Sequence, residues 1–179
     1  LLKDLGYDPK EYSPGFIKNK IETNFITTAN FAPYLLERAQ MYMNNDQARN
    51  AMLDYDAYYK AVNGQVNDLF YYYREQAALK ARQYQRALDD IVKAIELSPK
   101  DLTYRAEHAV VNLRVGRYEE SMKILNEILK DEPKYGEAYR LLGLCQIQLK
   151  KTDEACGNFN KAKELGDPNV DELIKKYCK

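Results

Sequence analysis

The sequence predicts an all-α protein in which helical hairpins stack into a solenoid. Three successive rows of 34 residues, 68–101, 102–135 and 136–169, align under one another. Each row contains two apolar patterns with the spacing of an amphipathic helix, and a break separates the two. A fixed period of this length is typical of repeat proteins, whose units bury their apolar faces against their neighbours.

The aligned columns agree in residue chemistry rather than in identity. Small side chains at a helix crossing let two backbones approach closely, and a large side chain fills the gap to the next hairpin. Pro99 and Pro133 close their rows and Pro168 does so one place late, because a proline ring removes a backbone donor. The matching columns are Ala87, Ser121 and Ala155; Ile91, Leu125 and Phe159; and Ala94, Ile128 and Ala162.

Residues 1–31 are predicted to form an N-terminal extension with one helix. Ser13 and Pro14 suit an N-cap and a first helical residue. Residues 1–12 are similar to the end of a hairpin row, so we interpret them as the remnant of an earlier repeat. The chain opens with Leu1, from which we expect a fragment or a processed chain. An apolar stripe at helical spacing follows, formed by Ile17, Ile21 and Phe25.

Four hairpins are predicted to follow this extension. The first, 32–67, is irregular, and we attribute its extra length to about three residues near 57–59 that lengthen its second helix. The regular hairpins are the three rows 68–101, 102–135 and 136–169. A final helix over 170–179 is expected to cap the last hairpin with an apolar face formed by Val170, Leu173, Ile174 and Tyr177.

The rows resemble the tetratricopeptide repeat family, whose signature is a helix, a turn and a helix with fixed aromatic, Leu-Gly, Ala, Phe and Pro places. The second row departs from the signature at Arg74 and Glu75, where Leu-Gly is usual. The resemblance implies a right-handed α-solenoid that acts as a scaffold for a protein or peptide partner and is not an enzyme. The last row matches best, at Tyr139, Leu142, Gly143, Ala155, Phe159 and Pro168.

The resemblance also implies a partner-binding groove formed by the first helix of each hairpin. Transferred residue by residue, the groove places give a mostly apolar wall with Lys80, Arg114 and Arg140 at its edges, which suits a peptide with hydrophobic side chains. The alternative is that several of these residues pack against neighbouring helices. The places are Leu36, Gln40, Met43 and Asn44; Leu69, Tyr72, Gln76, Leu79 and Lys80; Ala106, Val110, Leu113 and Arg114; and Arg140, Leu144, Ile147 and Gln148.

One subgroup of this family clamps the C-terminal carboxylate of a chaperone with Lys and Asn or Arg at fixed groove places. Of the residues at these places here, only Arg140 has a suitable charge, so no chaperone-type clamp is expected. In one register the places hold Leu36 with Gln40, Gln76, and Ala106 with Val110; in the next they hold Tyr72 with Gln76, Val110, and Arg140 with Leu144.

The aromatic run at 70–73 divides among different faces, because successive residues on a helix turn by ~100°. Tyr71 occupies the aromatic core place of the family. Phe70 and Tyr73 are expected to pack against the preceding hairpin. Tyr72 alone is expected to face the groove.

Charge and hydropathy argue against nucleic-acid and membrane-spanning proteins. Lys plus Arg number 27 and Asp plus Glu number 27, which gives a formal net charge of +0. This balance offers no basic surface for nucleic acid. The apolar runs fall far short of the ~18 residues that a membrane span requires. We therefore expect a soluble protein without a transmembrane segment, either cytoplasmic or exported with its signal missing here.

No residue pattern predicts a catalytic, cofactor or metal site. His108 is the only histidine of the chain and occupies an interior column, where a packed side chain is expected. Cys145 and Cys156 fall on the two helices of one hairpin and are interpreted as buried free thiols, although a bond between them stays open. Cys178 is expected to be the reactive cysteine.

The repeat pattern is compatible with two functions. The first is a scaffold or adaptor that binds a protein or peptide in the groove. The second is a structural or homo-oligomerisation module of a larger protein.

Overall fold

The computed structural model describes residues 32–178, and within that range all regular secondary structure is α-helical. The predicted all-α class is therefore confirmed. The proposed helix that starts near Ser13 and the interpretation of residues 1–12 lie outside the described residues. The helices are α1 (Ala32–Asn44), α2 (Ala48–Ala61), α3 (Asp68–Lys80), α4 (Tyr84–Leu97), α5 (Leu102–Arg114), α6 (Tyr118–Asp131), α7 (Gly136–Gln148), α8 (Thr152–Glu164) and α9 (Asp171–Tyr177).

The chain divides into two compact units, with the division between Arg82 and Gln83. Unit 1, described over 32–82, contains α1 to α3. Unit 2, described over 83–178, contains α4 to α9. None of the helices described over 32–178 is long and apolar enough to cross a bilayer.

Unit 1 is built on a hairpin of α1 and α2, and α2 also packs against α3. Ala39 and Ala51 are both fully buried, as expected for small residues at a helix crossing. Tyr55, which was assigned to the large apolar column, is 3% exposed. These residues therefore occupy the places that the repeat pattern assigned to them.

The extra length of the first hairpin lies in a loop rather than in its second helix. Helix α2 has 14 residues, the same number as α4. The connection 62–67 is longer than the connection 98–101 that follows α4. It turns through Asn63 and Gly64, which have positive φ angles of 52° and 73°. The prediction of a lengthened helix near 57–59 was wrong, because this turn absorbs the added residues.

Unit 2 encloses two apolar clusters. The first joins α5, α6 and α7 and includes Ala109, Leu125 and Leu141. The second lies between α8 and α9 and is centred on the fully buried Phe159. Gly143 of α7 faces this ring so closely that a Cβ atom there would overlap Phe159. The glycine of the family signature is thus required by a close helix approach.

Helix α9 covers the end of the last hairpin, as the sequence predicted. Val170 is fully buried, and Leu173 and Ile174 pack against the cluster around Phe159. The rings of Tyr177 and Phe159 stack with centroids 6.4 Å apart.

The cysteines differ from the prediction. Cys156 and Cys178 form a disulfide with a sequence separation of 22 residues, whereas Cys145 is a buried free thiol. The predictions that Cys156 is free and that Cys178 is the reactive cysteine were therefore wrong. The physical reason is that α9 folds back along α8, which brings the Cα atoms of Cys156 and Cys178 to 5.6 Å.

Candidate functional site

The groove residues predicted in unit 1 lie on α1 and α3, and most are accessible to a partner. Asn67 begins α3, because its side-chain oxygen accepts a hydrogen bond from the Phe70 amide at 3.0 Å. Met43 differs from the others because only 9% of it is exposed, so it belongs mainly to the core. Gln40, Asn44, Leu69 and Lys80 are exposed, and Leu36, Tyr72, Gln76 and Leu79 are half-buried.

A pocket of about 790 Å³ opens next to these residues in unit 1. Its deeper wall includes Tyr55 and Phe70, which are 3% and 5% exposed. Its mouth includes Leu69 and Tyr73, which are 47% and 44% exposed. The other described lining residues are Leu36, Glu37, Gln40, Tyr58, Gln65, Val66 and Asn67.

Phe70 is the centre of an aromatic cluster behind this pocket. Its ring lies 5.5 Å from Tyr58 and 5.9 Å from Tyr59, which confirms that it packs against the preceding hairpin. The Arg74 guanidinium lies 5.0 Å from the Phe70 and Tyr59 ring centroids, and 3.6 Å separates it from the Asp56 carboxylate. Arg74, at the place where the family signature has Leu, therefore packs its guanidinium against the rings of the aromatic cluster.

The other aromatics of the run differ in part from their predicted places. Tyr71 is half-buried at the edge of the cluster, so the predicted core place is filled by Phe70 instead. Tyr73 was expected to pack against the preceding hairpin, yet it is 44% exposed. Tyr72 is half-buried beside it, with ring centroids 5.5 Å apart.

The groove residues predicted in unit 2 lie on α5 and α7. Val110, Leu113 and Leu144 are half-buried and pack with their inner edges against the apolar core. Ile147 does the same against the cluster around Phe159. Ala106 is buried, whereas Arg114 and Gln148 are exposed.

Arg140 is held by two carboxylates of its own unit. Its Nε donates to Asp167 at 2.9 Å, and its Nη2 donates to Glu137 at 2.7 Å. The Asp167 side chain is only 3% exposed, so this ion pair is largely shielded from water. Glu137 also accepts a hydrogen bond from the Tyr135 hydroxyl at 2.9 Å.

Glu107 of α5 joins this charged network. Burial, followed by repulsion from Glu137, raises the pKa of Glu107, and Arg114 and Arg140 oppose the rise. Sequence reasoning missed Glu107, Glu137 and Asp167. The groove places were taken from the family, and no family place marks these three carboxylates.

His108 is half-buried, and desolvation lowers its pKa from the usual value. Neutral imidazole is therefore favoured in the folded state. Within residues 32–178, no three His, Cys, Asp or Glu side chains are grouped so that they could hold a metal ion.

Comparison with known proteins gives one matching family model and several partial relatives. The tetratricopeptide repeat model matches residues 78–145. The chain is 30% identical over 99 residues to small glutamine-rich tetratricopeptide repeat-containing protein 2 of Mycosarcoma maydis, across 55% of the chain and 28% of that protein. It is 32% identical over 101 residues to heat shock protein STI1 of Saccharomyces cerevisiae, across 54% of the chain and 17% of that protein. The chain thus spans less than a third of the length of either relative.

Solved structures share the fold at low sequence identity. YrrB, described as a tetratricopeptide repeat protein with an unusual peptide-binding site, superposes with a TM-score of 0.73 at 17% identity, over 98% of this chain and 86% of YrrB. The first repeat domain of Spaghetti (RPAP3), bound to the HSP90 peptide SRMEEVD, gives a TM-score of 0.55 at 21% identity, over 62% and 87% of the two chains. The family model thus identifies tetratricopeptide repeats in residues 78–145, and the chain is similar to proteins with these repeats in its helical hairpins and its fold.

Proposed function

We propose that this chain is a non-enzymatic scaffold that binds a peptide or protein segment on its first-helix faces. The unit 1 face comprises Leu36, Gln40, Met43, Leu69, Tyr72, Gln76, Leu79 and Lys80. The unit 2 face comprises Val110, Leu113, Arg114, Arg140, Leu144 and Ile147. Proteins of this family generally act as interaction modules, which supports the proposal.

The observation that carries the proposal is the exposure of large apolar side chains around the unit 1 pocket. Leu69 and Tyr73 are two of the large hydrophobic side chains that remain exposed among the described residues. Both line a concave space of about 790 Å³, which is within the range of ~300–1,000 Å³ common to ligand sites. Burying such residues under a partner would stabilise the complex.

We also propose that the chain has no chaperone-type carboxylate clamp. Arg140, the one suitable cation at the clamp places, is already bound to Asp167 and Glu137. Capturing a free carboxylate would require breaking a pair with the nearly buried Asp167. The peptide SRMEEVD, which the RPAP3 domain binds, should therefore bind this chain weakly or not at all.

A selection from a phage-displayed library of random dodecapeptides tests the binding function. The chain should enrich a defined set of apolar peptides, and each selected peptide should bind in fluorescence anisotropy. Tyr72→Ala should weaken binding by about tenfold or more, because it removes a large aromatic side chain from the unit 1 face. Leu144→Asp makes the matching test of the unit 2 face.

Leu53→Asp is the matched control, because Leu53 is 68% exposed on α2 and belongs to neither face. It should leave binding unchanged. Failure to enrich any peptide, or enrichment that survives both face variants, would contradict the proposal. Light scattering of the free chain measures its mass and distinguishes the scaffold from a homo-oligomerisation module. Such a module would be a dimer, and the face variants would convert it to a monomer.

A further inference from the structure

Helices α1 and α2 and the segment that leads into α3 form the walls of the unit 1 pocket. Helix α1 contributes Leu36, Glu37 and Gln40, and α2 contributes two tyrosines. The connection 65–67 and the first turns of α3 close the pocket. The tyrosine and phenylalanine rings, together with two leucines, make most of this surface apolar. Such a surface fits an aromatic or branched aliphatic side chain.

The polar groups at the pocket are suited to a peptide. Gln40, Gln65 and Asn67 are amides, and Gln40 and Gln65 are exposed to a partner. Side-chain amides can both donate to and accept from peptide groups. Asn67 is partly used within the fold, because its oxygen caps α3.

Glu37 is the one charged side chain among the described residues that line the pocket. Partial burial removes some of the water around its carboxylate, and this desolvation raises the pKa of the group from the usual value. The neighbouring cation Arg38 is engaged elsewhere, because its Nε donates to Asp54 at 2.6 Å and its Nη2 donates to the other Asp54 oxygen. A cation supplied by a partner would complement Glu37.

From this geometry we propose that the pocket binds an apolar side chain of a partner segment in which the next residue is lysine or arginine, with Glu37 as its counter-charge. This inference rests on the proposed function and specifies one subsite of it. The partner is a segment of another protein. A second copy of this chain or residues 1–31 of the same chain would be a different occupant.

Labelled dodecapeptides of glycine and serine that carry a central Phe-Lys, Phe-Glu or Ala-Lys pair are the probes. The full chain should prefer Phe-Lys to Phe-Glu by about fivefold, as expected for a partly exposed ion pair. Loss of the apolar anchor in Ala-Lys should cost about tenfold or more. Glu37→Lys should reverse the charge preference, while Leu53→Asp should leave it unchanged.

A photo-reactive p-benzoylphenylalanine in place of Leu69 locates the occupant directly. It should cross-link the Phe-Lys peptide, and the same group in place of the exposed Leu53 should not. Circular dichroism confirms that each variant is folded. The Glu37 pKa, followed by NMR, should fall when the Phe-Lys peptide binds, because a nearby cation favours the carboxylate.

The inference would be overturned if Glu37→Lys still preferred the Phe-Lys peptide to the Phe-Glu peptide. A cross-link from position 69 to residues 1–31 or to a second copy of the chain would also overturn it. Peptides whose binding depends on Leu144 but not on Leu69 would leave the proposed function standing and remove this subsite. A chain that binds no probe and selects no peptide from the random library would remove both.

Discussion

At the scale of single residues, one place in the repeat requires a left-handed backbone. Arg82, Gly116 and Lys150 are separated by 34 residues and have φ angles of 61°, 81° and 62°. Each lies in the short turn between two helices. Glycine adopts this conformation without a steric penalty, whereas a side chain costs roughly 1–2 kcal/mol there.

Lys150→Gly should therefore stabilise the protein. The relief of strain is partly offset by the extra chain entropy that glycine loses on folding, which leaves a gain of about 0.5–1 kcal/mol. Urea unfolding followed by circular dichroism measures the change. Lys151→Gly is the matched control, because Lys151 has a φ angle of −99° and gains no such relief. An equal effect of the two substitutions would rule out backbone strain as the cause.

The residues that the sequence predicted best are those of the repeated small and large columns. Ala39, Ala51 and Phe159 are fully buried, and Gly143 makes the close approach that the family signature implies. The aromatic run was less predictable. Whether Phe70 or Tyr71 is buried depends on the rotation of α3 against α2, and that rotation is set by packing rather than by spacing.

Glu107 gives a prediction about pH. Burial, above all, raises the pKa of Glu107 in the folded state, so protonated Glu107 stabilises the fold at pH values below the unfolded pKa of about 4.5. This contribution to stability is lost as the pH rises through the folded pKa. Glu107→Gln should therefore be more stable than the unmodified chain at pH 7, and the difference should vanish near pH 4. Thermal unfolding across this range measures the effect.

Glu127→Gln provides the control for this pH effect, since Glu127 is exposed on α6. A surface substitution of this kind should change stability by less than about 0.5 kcal/mol at either pH. A stability gap for Glu107→Gln that is the same at pH 4 and pH 7 would show that lost packing, not the charge, is responsible.

At the scale of elements, helix α9 depends for its stability on contacts with the rest of unit 2. A helix of seven residues is far below the ~12–15 residues at which an isolated helix becomes marginal. Its packing on Phe159 and the Cys156–Cys178 disulfide together keep it in place. The apolar face was predictable from the sequence, but the disulfide was not, because spacing alone does not show that α9 folds back along α8.

Cys178→Ser should destabilise unit 2 by up to about 3 kcal/mol, as expected for a bond that closes a segment of this length. The same loss should follow addition of a thiol reductant to the unmodified chain. Thermal unfolding with and without reductant measures it, and hydrogen exchange should show that α9 opens first. Cys145→Ala is the control, because Cys145 is free and its variant should remain sensitive to reductant. Equal stability in both conditions would contradict the assigned bond.

At the scale of the whole molecule, the 34-residue period predicted the helices from α3 onward but not the division into two units. The period shows which residues repeat, and it gives no signal for a division between Arg82 and Gln83. The first-helix faces stay a prediction as a partner site, and most of their residues are at least partly accessible. The pocket in unit 1 was not predictable, since it also needs Tyr55, Tyr58 and the connection 65–67.

The charge distribution of the whole chain predicts how binding responds to salt. The formal net charge is +0, and two cations of the predicted faces are paired within the fold, Lys80 with Asp46 and Arg140 with Asp167. Partner binding should then depend mainly on apolar burial, which salt does not screen. The affinity for the Phe-Lys peptide should fall by less than about fivefold between ~0.1 M and ~1 M NaCl, as only the Glu37 pair is screened. In Glu37→Gln this small dependence should disappear. A fall of tenfold or more, measured by fluorescence anisotropy, would show that binding is electrostatic and that the apolar pocket is not its main determinant.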